Sequence, residues 1–171
     1  VTGCTQCGPG FYYLTSDSSC HVCEVGKYSP AVASTTCTLC AAGKASDFTG
    51  SKGDSCELCS SGTIAAAGDT TCTKCAAGKS SKNAASGDAE TYGTSCTDCP
   101  AGTYSSDGAV ICTSAPAGYY TSSSGSASLK ICASGYYSTG GASSCSACNV
   151  GYLCSSGSTS PTPLGSVCSI G

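Results

Sequence analysis

The residues with the most chemistry to offer are cysteines. There are 18 in 171 residues, and fourteen stand in seven Cys-x-x-Cys pairs: Cys4/Cys7, Cys20/Cys23, Cys37/Cys40, Cys56/Cys59, Cys72/Cys75, Cys96/Cys99 and Cys145/Cys148. Thiols at this spacing have three uses. As thiolates, two pairs about a dozen residues apart hold a tetrahedral zinc, so Cys4 to Cys23 taken alone is a zinc-ribbon candidate. As a redox couple, one pair exchanges electrons, but that use belongs to a βαβ setting, and this Gly- and Ser-rich chain has no window that supports a helix. As disulfides, they staple a chain that lacks a core. Seven near-copies favour the third use. No pair is followed by His, which excludes c-type haem attachment.

Two gaps in the pattern set the connectivity. Around Cys112 the chain reads Cys112-Thr-Ser-Ala115, with Ala in place of the second Cys, and Leu129-Lys-Ile-Cys132 has Leu in place of the first. Pairing within each Cys-x-x-Cys would orphan Cys112 and Cys132. Pairing each second Cys with the first Cys of the next unit makes Ala115 and Leu129 the two ends of one lost bridge, and leaves neither thiol stray. That scheme predicts Cys7–Cys20, Cys23–Cys37, Cys40–Cys56, Cys59–Cys72, Cys75–Cys96, Cys99–Cys112 and Cys132–Cys145. Cys4, Cys148, Cys154 and Cys168 remain, and are expected to bond between subunits or at the ends. Cys4 would need a partner before it and Cys168 one after it, as if the chain were cut from a longer repeating pattern.

The elements that must position these cysteines recur with them. Each second Cys is followed three residues later by a glycine: Gly10, Gly26, Gly43, Gly62, Gly78, Gly102 and Gly151. Glycine there suits a turn with positive φ. Two residues further on stand Tyr12, Tyr28, Ala45, Ile64, Ser80, Tyr104 and Leu153, and Ser/Thr-rich turns lead to the next Cys. Each unit reads as a short, irregular hairpin. Phe48–Asp54 and Lys82–Gly93 read as solvated insertions. The expected fold is small and disulfide-rich: an elongated linear array of short β-hairpins, little or no helix, no large hydrophobic core. Residues 1–112 hold six regular repeats, 113–144 degenerate repeats lacking one disulfide and marking a bend, and 145–171 a variant C-terminal repeat.

Composition narrows the function. Leu, Ile, Val and Phe number 19, while Ser and Thr number 33 and 20; that apolar content is below the rough 20% expected of an ordinary globular domain. Net charge is −3, with seven Lys and no Arg, so nucleic acid is not an expected partner. No apolar run approaches the ~18 residues of a membrane span. The single His, His21, reads as a turn residue, and the acids are scattered singly, so no catalytic site, cofactor or metal site is expected. Of the tyrosines, Tyr12, Tyr28, Tyr104, Tyr120 and Tyr137 are expected to stack over the disulfides as local cores. Tyr119 and Tyr136 point to the opposite face of their strands and are candidates for lateral contact. Neither Asn lies in an N-glycosylation sequon. The runs holding Ser122, Ser123 and Ser124, and Ser158, Thr159, Ser160 and Thr162, read either as O-glycosylated segments or as bare loops.

Cys99-Pro-Ala-Gly-Thr-Tyr104, repeated over nearly the whole chain, resembles the ephrin-receptor-like and growth-factor-receptor cysteine-rich repeats. It is also similar to tumour-necrosis-factor-receptor half-modules. Gly151-Tyr-Leu-Cys-Ser-Ser-Gly-Ser-Thr-Ser-Pro-Thr-Pro163 is similar to the form such repeats take in protist surface antigens and mastigoneme-type fibril proteins. The resemblance implies a secreted, disulfide-laddered structural or binding element. The function expected is a non-catalytic extracellular fibril or cell-surface coat protein that associates head to tail. The alternatives are a receptor or adhesion ectodomain with a protein ligand, and a multi-zinc protein.

Overall fold

A computed structural model describes residues 6–47, 49–52, 56–81 and 93–164. Cys4, Cys168, Tyr92 and most of the two insertions lie outside them. The described residues contain no helix. They form short antiparallel hairpins in chain order, seven of them standing as two-stranded sheets. The chain divides into two compact units, residues 1–74 with 88–95, and residues 75–87 with 96–171.

In the first unit β1 (Phe11–Leu14) pairs β2 (Ser19–Val22), β3 (Lys27–Ser29) pairs β4 (Thr38–Leu39), β5 (Lys44–Ala45) pairs β7 (Glu57–Leu58), and β8 (Thr63–Ile64) pairs β9 (Thr73–Lys74). β6 (Ser51–Lys52) adds in parallel to β3. In the second unit β10 (Lys79–Ser80) pairs β11 (Thr97–Asp98), β12 (Thr103–Tyr104) pairs β13 (Thr113–Ser114), β14 (Tyr119–Tyr120) pairs β15 (Lys130–Ile131), and β16 (Tyr136–Tyr137) pairs β17 (Ser146–Ala147).

Isolated two-residue ladders are too short to stand alone. Three devices hold them. The first is covalent. Bridges close Cys7–Cys20, Cys23–Cys37, Cys40–Cys56, Cys59–Cys72, Cys75–Cys96, Cys99–Cys112 and Cys132–Cys145, with Cα atoms 5.6–5.8 Å apart. An eighth joins Cys148 to Cys154. These two cysteines therefore find each other rather than a subunit or chain-end partner. The reason is local: Tyr152 N–H donates to Asn149 O (3.1 Å), a tight turn that brings the two sulfurs together across six residues.

The second device is a backbone ladder between successive repeats. Each repeat closes when the amide at the next second-Cys position donates to its own glycine carbonyl, as Cys23 to Gly10, Cys40 to Gly26 and Ala115 to Gly102. Within the second unit three bonds then run to the following repeat. From the repeat at Cys99 these are Gly102 N–H to Thr121 O (3.0 Å), Gly125 N–H to Cys99 O (2.8 Å) and Ser105 N–H to Ser126 O (3.4 Å). The same three recur from Cys75 to Ser105, Gly108 and Ala109, and from Ala115 to Ser138, Gly141 and Ala142. The repeat that lacks a disulfide is thus bonded to its neighbours like the others.

The third device reaches the repeat after next. A Cβ on Gly10 would stand 2.3 Å from the carbonyl oxygen of Gly50, and one on Gly102 2.3 Å from that of Gly141. The interior is correspondingly narrow. Among the buried side chains are the second cysteines (Cys23, Cys40, Cys75, Cys99 and Cys132 at 0%), Ala115 in the same place at 1%, and, from the second repeat on, a small residue three after the turn glycine: Ser29, Ser46, Ala65, Ser81, Ser105, Thr121, Ser138 and Cys154. Tyr12, Tyr28, Tyr104, Tyr120 and Tyr137, expected to stack over the disulfides, are half-buried.

Candidate functional surface

Three places carry side chains that could act on something else. On the first hairpin, His21 Nε2 lies 2.6 Å from Asp17 Oδ2 and 3.0 Å from Ser19 Oγ, with its ring 5.6 Å from that of Tyr12 across the β1–β2 pair. Ser, His and Asp are the residues of a hydrolytic triad, but a triad needs serine on one ring nitrogen and aspartate on the other. Here both face Nε2, so the imidazole cannot take a proton from serine while the acid holds its far side. The cluster is a turn lock: Asp17 Oδ1 also accepts from the Ser19 amide at 3.1 Å. The hydrogen bond to His21, and next that to Ser19, hold the Asp17 carboxyl below its ordinary range.

Beside it, a cleft of about 270 Å³ is lined by Tyr12, Glu24, Lys27, Thr35, Thr36 and Cys37. Lys27 Nζ donates to Glu24 Oε2 at 2.9 Å. This contact pulls the glutamate below, and the lysine above, their ordinary values. A lysine serves as nucleophile or base only when its pKa is lowered towards neutrality; this one moves the other way. Cys37 is bridged to Cys23. The cleft offers two charges that neutralise each other and hydroxyls on its wall.

The third place is apolar. Along the hairpins, the residue after each turn glycine faces the residue two beyond the next first-Cys position: Phe11↔Val22, Lys27↔Leu39, Lys44↔Leu58, Tyr119↔Ile131 and Tyr136↔Ala147 each include an apolar side chain, while Thr63↔Lys74, Lys79↔Asp98 and Thr103↔Ser114 are polar. Tyr119 and Tyr136 are 36% and 46% exposed, and Ile131 50%. All three belong to the second unit. Leu39 and Ile131 each also lie over a turn glycine of the repeat after next, Gly68 and Gly157.

Ser122, Ser123, Ser124 and Thr159 are exposed, while Ser158, Ser160 and Thr162 are half-buried. Ser158 Oγ donates to Ser155 O, and Ser160 Oγ accepts from the Thr162 amide. Among the described residues no three His, Cys, Asp or Glu side chains gather as a metal site, and each described cysteine is engaged in a bridge. The zinc alternative has no thiolate to draw on there. Sequence reasoning missed the buried small residue three after the turn glycine in every repeat from the second on. The period was visible, but in a Ser-rich chain one more serine does not stand out.

The family model described as tyrosine-protein kinase ephrin type A/B receptor-like matches residues 10–55. Residues 10–55 form a cysteine-rich repeat segment of the growth-factor-receptor type. A mouse (Mus musculus) relative, "Signal peptide, CUB and EGF-like domain-containing protein 3", is 46% identical over 46 residues. That stretch is 27% of this chain and 5% of the relative. Receptor-type repeats with this many disulfides are typical of extracellular or cell-surface domains, since thiols are kept reduced in the cytosol. No described helix is long and apolar enough to cross a membrane.

Proposed function

We propose that this chain is a non-catalytic structural segment of an extracellular fibril or cell-surface coat, extended by head-to-tail association of its repeats. One observation carries the reading: the same three backbone hydrogen bonds recur from the repeats at Cys75, Cys99 and Ala115 although the side chains at those junctions differ. A contact made of backbone groups continues as readily with a further copy as within one chain, because it asks only for glycine at the turn and a small residue in the buried column. Such open, repeating contacts give filaments rather than closed rings unless their rotation closes. Tyr119 and Tyr136 are the side chains proposed for lateral contact, and the exposed serines for O-linked glycans.

The exposure of Tyr119, Ile131 and Tyr136 favours a second reading, a receptor or adhesion ectodomain that takes a protein ligand, since exposed aromatics are common anchors at interfaces. Light scattering and electron microscopy on the oxidised chain separate the two. The fibril reading expects concentration-dependent growth into filaments. A monomer stable over a wide concentration range overturns it and leaves the ectodomain reading ahead.

A further inference from the structure

We infer that the hairpin from Ala115 to Leu129 is an extensible segment in a chain whose other hairpins are held at nearly fixed length by disulfides. The inference goes beyond the fibril reading and does not depend on it.

Tension along an oxidised chain runs through its S–S bridges. Where a bridge closes a hairpin, the enclosed loop carries no tension and cannot lengthen. In the second unit the tensioned path crosses Cys75–Cys96, Cys99–Cys112 and Cys132–Cys145, each with Cα atoms 5.6–5.8 Å apart. From Cys112 to Cys132 there is no bridge, and the path is the whole polypeptide, 20 residues on. Fully extended, that stretch spans on the order of 70 Å. A bridge between positions 115 and 129 would limit it to three residues on either side plus the bridge itself, on the order of 25 Å. The missing staple therefore hides about 45 Å of length.

Only weak bonds hold this length in. The β14–β15 pairing spans Tyr119↔Ile131 and Tyr120↔Lys130. Cys132 N–H donates to Gly118 O, and Thr121 Oγ1 donates to Thr103 O at 3.1 Å. Ala115 and Thr121, both 1% exposed, fill the sites that a sulfur and a serine hold elsewhere. Three backbone bonds run to each flanking repeat. All are non-covalent and break under load. All can form again, because the flanking hairpins stay closed by Cys99–Cys112 and Cys132–Cys145 and keep their half of the ladder in place. The turn itself, Ser122 to Ser128, carries no large apolar side chain.

Single-molecule force spectroscopy on the full oxidised chain, held at its two ends, tests this. The wild type is compared with Ala115→Cys/Leu129→Cys, its added bridge verified by peptide mass spectrometry, and with Gly118→Ala. The wild type should show a reversible lengthening of about 45 Å that the bridged double variant lacks. In Gly118→Ala the new Cβ would meet Gly157 O at 2.3 Å, so the same lengthening should come at lower force. Equal lengths in wild type and bridged variant overturn the inference, as does an unchanged force in Gly118→Ala. Should the added cysteines not pair, the Gly118→Ala comparison decides alone. Monomeric behaviour in light scattering would refute the fibril reading and leave this inference standing; a missing step would do the reverse.

Discussion

Gly102→Ala asks whether alternate repeats really touch. Gly102 has φ +86°, and a Cβ there would stand 2.3 Å from the carbonyl oxygen of Gly141 and 3.1 Å from its carbon. Left-handed backbone costs an alanine about 1–2 kcal/mol by itself. The clash is with backbone, which cannot rotate away, so the turn at Gly141 must move. That turn is held by Gly141 N–H to Ala115 O (2.7 Å) and by Thr121 N–H to Ala142 O (3.2 Å). Each such bond contributes about 1 kcal/mol net. The expected loss is therefore about 3–4 kcal/mol.

Gly135→Ala is the matched control, since Gly135 has the same φ, +86°, and nothing within 4 Å of a Cβ. It should lose only the backbone term, about 1–2 kcal/mol. The difference of about 2 kcal/mol is a factor of about 30 in the opening equilibrium. Amide hydrogen exchange on the oxidised chain is the assay, because disulfide-closed repeats open locally rather than in one two-state transition. The amides of Gly141 and Thr121 should lose protection in Gly102→Ala by about that factor more than in Gly135→Ala. Equal losses in the two variants would refute contact between alternate repeats, and with it the reason given for the narrow interior.

Three further predictions follow from other residues. Ala33 stands at φ +60° and donates to Cys7 O, where later repeats have glycine; Ala33→Gly should stabilise the first hairpins by about 0.5–1 kcal/mol, less the added freedom of the unfolded chain, read by exchange at residue 33. Asp17 is held below its ordinary carboxylate value by His21, so its contribution is present above about pH 3.9 and disappears as pH falls through the lower folded value. Exchange at Ser19 should speed up in that acid window, and Asp17→Asn should remove the pH dependence; a wild-type profile flat through the window would count against the turn lock. Peptide mapping under non-reducing conditions should recover Cys148 joined to Cys154 and Cys7 to Cys20. Recovery of Cys20 joined to Cys23 would sink the ladder.

Much of this molecule was legible in one dimension. The Cys-x-x-Cys…Gly period names the hairpins, and the paired absence of sulfur at Ala115 and Leu129 points to bridges between successive units. That logic works because a covalent bond leaves a two-ended trace in sequence: losing one partner makes the other useless. The composition also sufficed to deny a conventional core. Cys148 and Cys154 left no such trace, since their bridge depends on a single tight turn rather than on the period. The buried column of Ser29, Ser46, Ser105, Thr121 and Ser138 was hidden by the abundance of serine. Contact between alternate repeats, Gly10 with Gly50 and Gly102 with Gly141, could not be read at all. Spacing along the chain says which residues are near in a hairpin, but how far one hairpin is rotated and shifted on the next is decided by backbone hydrogen bonds in three dimensions. Those bonds set the glycines against carbonyls two repeats away.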